Sequence, residues 1–75
     1  MSELEKWAAR ATKTDEIWLL ESRNGVNLYL LKDRKSYNDP FGKLPLYAIW
    51  KNDKMVYIRP GYRAGYDRFC AEARV

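Results

Sequence analysis

Apolar residues recur at helical spacing at both ends of this chain and in strand-like runs between them. Leu4, Trp7, Ala8 and Ala11 fall three and four residues apart and define one stripe, with Lys6, Arg10 and Lys13 lying away from it. Ser2-Glu3-Leu4-Glu5 opens that stripe as a capping box, the Ser2 hydroxyl accepting from the Glu5 amide while Glu5 reaches back. Two acids in the first turn also suit the helix dipole. The spacing predicts a helix that frays out over Thr12 to Thr14. At the other end, Tyr62, Tyr66, Phe69, Cys70 and Ala73 follow a second helical stripe, interrupted only by Gly65. Pro60-Gly61 breaks the preceding strand, and Arg63 with Asp67 and Arg68 with Glu72 form i,i+4 charge pairs on the outer sides.

Between the helices the pattern predicts two β-hairpins. The runs 17–23 and 26–34 flank Asn24-Gly25, the strongest short hairpin signal, because a type I′ turn needs positive φ at both central positions. A regular ladder from that turn sets Arg23 opposite Val26, Leu20 opposite Tyr29, Leu19 opposite Leu30 and Trp18 opposite Leu31. One face then holds Trp18, Leu20, Tyr29 and Leu31, and the other holds Ile17, Leu19, Leu28 and Leu30. Both are apolar in the middle, so this sheet is covered on two sides or leaves one side to bind something.

Residues 46–59, LYAIWKNDKMVYIR, read as the second hairpin. A three-residue loop, Asn52-Asp53-Lys54, places Leu46, Ala48, Trp50, Val56 and Ile58 on one side and Tyr47, Ile49, Lys51, Met55, Tyr57 and Arg59 on the other. A two-residue Asn52-Asp53 turn groups Trp50 with Met55 and Tyr57 instead, because a slip of one residue exchanges the sides of a strand. The three-residue loop leaves the cleaner apolar face and is the preferred register. The stretch 35–45 between the hairpins is irregular, dense in turn chemistry and surrounded by Lys32, Arg34, Lys35 and Lys43. The fold expected is a single α+β domain spanning residues 1–75: N-terminal helix, two hairpins forming a four-stranded antiparallel sheet, C-terminal helix, with both helices on one face.

Composition sharpens this picture. Aromatics make up 15% of the 75 residues, and each buries about 150–250 Å², so three tryptophans and six tyrosines build a core that aliphatics alone could not supply. A core this size yields only about 3–5 kcal/mol of net stability, which makes every element necessary. A single cysteine, Cys70, rules out an internal disulfide framework. No charged-then-apolar leader opens the chain and no apolar run approaches the roughly 18 residues of a membrane span, so a soluble cytoplasmic protein is expected.

The chemistry available is narrow. With no histidine, Ser-His-Asp and Cys-His arrangements are excluded, and so is the usual zinc ligand set. The glycines form no phosphate-cradling loop. Glu16 and Asp33, opposed at the open end of the first hairpin, could mimic an acid/base pair, but they read better as solvated acids beside Lys32 and Arg34. No enzyme, cofactor or metal site is expected. What remains is a net charge of +4 and tyrosines mixed with basic residues: Tyr47, Lys51, Tyr57 and Arg59 on one proposed face, extended by Lys32, Arg34, Lys35 and Lys43. Single-stranded nucleic acid is bound by this pairing, since bases stack on rings while cations follow phosphates. Tyrosine and arginine are equally enriched at protein–protein hot spots, so a small inhibitor or adaptor docking on a larger protein is the alternative.

Overall fold

The computed structural model describes residues 2–33 and 44–74, so the stretch 34–43, with Arg34, Lys35 and Lys43, lies outside the described residues. The chain runs α1 (Glu3–Ala11), β1 (Asp15–Arg23), β2 (Val26–Asp33), β3 (Leu46–Lys51), β4 (Lys54–Pro60) and α2 (Tyr62–Glu72). The strands form one antiparallel sheet in the order β1-β2-β3-β4. As the capping box implies, the Glu5 amide donates to the Ser2 hydroxyl at 3.1 Å, and the helix closes at Thr12.

Both hairpins turn on two residues. Asn24 and Gly25 have φ of 51° and 78°, with Arg23 opposite Val26. Asn52 and Asp53 have φ of 51° and 62°, with Lys51 opposite Lys54, so the expected three-residue loop gives way to the two-residue turn. Asn and Asp tolerate the left-handed region better than other side chains.

Each outer strand carries one bulge. In β1 the extra residue is Leu20: Glu21 pairs with Leu28 and Leu19 with Tyr29, so Trp18 meets Leu30 rather than Leu31, which faces Ile17. In β4 it is Val56: Trp50 pairs with Met55, then Ile49 with Tyr57 and Ala48 with Ile58. The second bulge returns β3 and β4 to the register that a three-residue loop would have imposed. A bulge inserts one unpaired residue and re-aims its neighbours. Trp50 and Val56, expected side by side, therefore serve different layers.

Opposed residues share a face. One face carries Trp18 and Glu21 of β1, Val26, Leu28 and Leu30 of β2, Tyr47, Ile49 and Lys51 of β3, and Tyr57 and Arg59 of β4. Here α2 packs, burying Phe69 and Ala73 with Val26, Leu28 and Ile49, while Val56, Tyr57 and Tyr66 lean on that cluster. The other face carries Ile17, Leu19, Tyr29, Leu31, Ala48, Trp50, Met55 and Ile58. Here α1 packs through Trp7, whose ring lies 5.7 Å from Tyr29 and 5.4 Å from Trp50. The helices thus cover opposite faces, not one. β2 and β3 are apolar on both sides, and a single layer would leave Trp50 or Phe69 without a partner surface.

Both turns lie at one end of the sheet, and each secures a helix end. The Asp53 carboxylate accepts from the Glu3 and Leu4 amides at 2.9 and 3.0 Å, capping α1. The Asn24 amide donates to the Ala73 carbonyl at 2.6 Å, capping α2. These are groups that a helix cannot satisfy within itself. The Leu4 and Glu3 amides hold the Asp53 carboxyl below the ordinary aspartate range.

Two outcomes follow from this packing. Phe69→Ala empties a fully buried site and costs about 3–5 kcal/mol, enough to unfold most of so small a domain. Trp7 is only half-buried, so Trp7→Ala shifts the urea midpoint less than Phe69→Ala does. For Asp53, a depressed folded pKa means that its contribution is complete above the ordinary carboxylate range. That contribution is lost as pH falls from there through the folded value. Acid titration followed by tryptophan emission should be flat down to that range, and Asp53→Ala should lower the thermal midpoint at neutral pH while removing part of the acid-dependent loss, the depressed Glu72 carboxyl retaining its own share.

Candidate interaction surface

Tyr47, Lys51, Tyr57 and Arg59 do share a face, as the pattern implies: Tyr47 lies opposite Arg59, and Tyr57 opposite Ile49, two residues from Lys51 along β3. That face, however, is the seat of α2. The α2 residue Arg68 stands over the Tyr57 ring at 5.9 Å and also bonds Glu72 at 3.0 Å. Lys51 reaches the same Glu72 carboxylate at 3.4 Å. The Arg68 hydrogen bond, with a smaller contribution from Lys51, holds the Glu72 carboxyl below its usual range. Tyr47 sits under Gly65, where an added Cβ would stand 3.0 Å from the Tyr47 Cβ. A Cβ at position 65 would crowd Tyr47, so that the helix or the ring would have to give by a few tenths of an ångström, which accounts for a glycine inside the helical stripe.

Near the N-terminus of α2 one row crosses all four strands: Trp18, Leu30, Tyr47 and Arg59, with Tyr47 partly covered by the helix. Tyr62, largely exposed, meets Tyr47 edge-on at 5.6 Å and stacks on Tyr66 at 5.8 Å. Lys32 lies over the Trp18 ring at 5.6 Å. Of the basic residues singled out from the sequence, Lys32 and Arg59 are therefore brought to this corner, and Lys51 is not.

The feature that sequence reasoning missed is the outer strand. Trp18, Leu19 and Leu20 are consecutive in β1 and retain 44%, 56% and 42% of their surface. Nothing among the described residues pairs with the outer edge of β1. The excess of apolar residues on both sides of the first hairpin was the available signal. What it lacked was strand order, which makes β1 an edge. Both edge strands carry a bulge, but at the opposite edge β4 also has Lys54, Arg59 and Pro60. Lysine and proline are usual ways to blunt an edge.

Glu16 and Asp33 are not opposed. Glu16 faces Lys32 and Asp33 faces Asp15, which places the two carboxylates on different faces of the sheet. Arg23 bonds Glu21 at 2.6 Å, which raises its pKa further, and stands 5.7 Å over the Phe69 ring. Cys70 is half-buried against the α2 cluster. No helix among the described residues is long and apolar enough to cross a membrane. No family model, no curated protein and no solved structure matches the chain in comparisons with known proteins.

Proposed function

We propose that this chain is a non-catalytic cytoplasmic interaction module that docks on protein through the β1 edge of its sheet. The observation that carries the reading is the run Trp18-Leu19-Leu20, three large apolar residues left exposed in a row on an edge strand whose outer side no described residue pairs with. Such a strand offers main-chain groups for a further strand and apolar side chains to either side of it. Apolar side chains on both sides of one open edge are what an added strand would cover. The contrast with β4 supports the choice of edge, since only β4 carries lysine and proline.

Capture experiments with the whole chain as bait test this. Leu19 is exposed, so Leu19→Lys should keep the parent circular dichroism spectrum. A partner, whether a different protein or an untagged copy of the chain, should be retained by the parent and lost by Leu19→Lys. A partner held equally by both baits rejects the β1 edge as the docking site.

A second reading, single-stranded nucleic acid, is favoured by the row Trp18, Leu30, Tyr47 and Arg59 with Tyr62 and Lys32 beside it. It no longer involves Tyr57 or Lys51, which α2 engages, and because Tyr47 is also partly covered by α2, Trp18 and Tyr62 are the exposed rings of the group. On this reading the affinity for a labelled mixed-sequence oligonucleotide falls with salt, with a slope of about −0.7 per phosphate contact. Arg59→Ala flattens that slope, whereas Trp18→Ala removes about 1–3 kcal/mol of stacking and leaves it unchanged. No binding at low salt removes this reading.

A further inference from the structure

Resting on the docking reading, we infer that the β1 edge pairs with the β1 edge of a second copy, antiparallel, about a two-fold axis at Leu19. A symmetric edge contact must be self-complementary, since each residue meets the partner position that its own counterpart meets. The bulge decides which registers allow this. Leu20 is the extra residue of β1, so Trp18 and Glu21 point to one face and Leu19 and Ser22 to the other. Only registers that keep like faces together are consistent with a continuous sheet.

Counting past Leu20, a two-fold axis at Leu19 sets Leu19 against Leu19, Trp18 against Glu21, Ile17 against Ser22 and Glu16 against Arg23. The last pair is of opposite charge and occurs twice by symmetry. Sliding two positions one way opposes Glu21 with Glu16, and two positions the other way opposes Glu21 with itself. Like charges directly opposite are destabilising, so both slides are disfavoured. Arg23 remains able to serve two carboxylates. Its bond to Glu21 uses one terminal nitrogen, and the guanidinium has five donors in all.

The pairing also covers one of the exposed apolar residues. Leu19, with 56% of its surface exposed on the α1 face, would be covered by its own symmetry mate. Joining two copies gives an eight-stranded sheet whose outer edges are both β4, the strand that carries Lys54, Arg59 and Pro60. Growth therefore stops at two copies.

Sedimentation equilibrium on the full chain reads the association, with Glu16→Arg, Arg23→Glu and the double charge swap compared with the parent. The parent should dimerise, each single swap should weaken the dimer by about tenfold, and the double swap should restore most of the loss. A chain that stays monomeric up to its solubility limit overturns self-pairing. The docking reading would then still stand or fall on whether Leu19→Lys loses its captured partner. A dimer indifferent to the single swaps, or one that the double swap fails to restore, overturns this register. Cysteine cross-linking keeps the inference testable where a charge variant folds poorly. Leu19→Cys should form an interchain disulfide about tenfold faster than Ile58→Cys, an exposed position on the far edge. Equal rates overturn it.

Discussion

The structure depends on two reverse turns that stand together at one end of the sheet and hold both helices. Asn24 and Asp53 are turn residues in left-handed backbone conformation, and both side chains reach a helix terminus. The side chain that makes each turn possible is thus the one that docks a helix. A helix end left bare would expose unsatisfied backbone groups, and a nine-residue helix such as α1 has little stability of its own. Trp7 adds the apolar part of that docking by settling against Tyr29 and Trp50. Position and burial are supplied by different residues, which lets a very small domain support two helices.

Much of this fold is legible in the sequence, and for identifiable reasons. The Ser2 hydroxyl that accepts from the Glu5 amide and the Asn24-Gly25 turn rest on local chemistry, whereas the Asp53 cap on Glu3 and Leu4 comes from across the sheet. The two helical stripes are legible on the same local grounds. Strand register is different. Leu20 and Val56 look like ordinary members of apolar runs, and nothing in their identity shows that each will be the unpaired residue of a bulge. The error propagates, because every residue beyond a bulge changes face relative to a regular ladder. That is why Trp18 moves from Leu31 to Leu30, and why Glu16 parts from Asp33.

The surface was less legible than the core. Tyr47, Lys51, Tyr57 and Arg59 were correctly placed on one face, but occupancy of that face by α2 follows from three-dimensional packing and not from periodicity. Both faces of β2 and β3 are apolar, so each demanded a helix, and the edges were left to meet whatever comes next. Charge followed the same division. Lys51 and Arg68 are spent on Glu72, whereas Arg59 and Tyr62 lie beyond the reach of that pairing.

The bulges also govern how the chain tolerates changes in length. In a regular strand, losing one residue reverses every side chain beyond the deletion and exchanges core for surface. Leu20 and Val56 are exempt, because neither occupies a rung: without Leu20, Glu21 still meets Leu28 and Leu19 still meets Tyr29. Removing Val56 likewise leaves Trp50 with Met55 and Ile49 with Tyr57, at the expense of one side chain beside the α2 cluster. These two positions let β1 and β4 lengthen or shorten by one residue while the remaining ladder keeps its sense. In lineages that share this architecture, insertions and deletions within the strands should therefore concentrate at these positions.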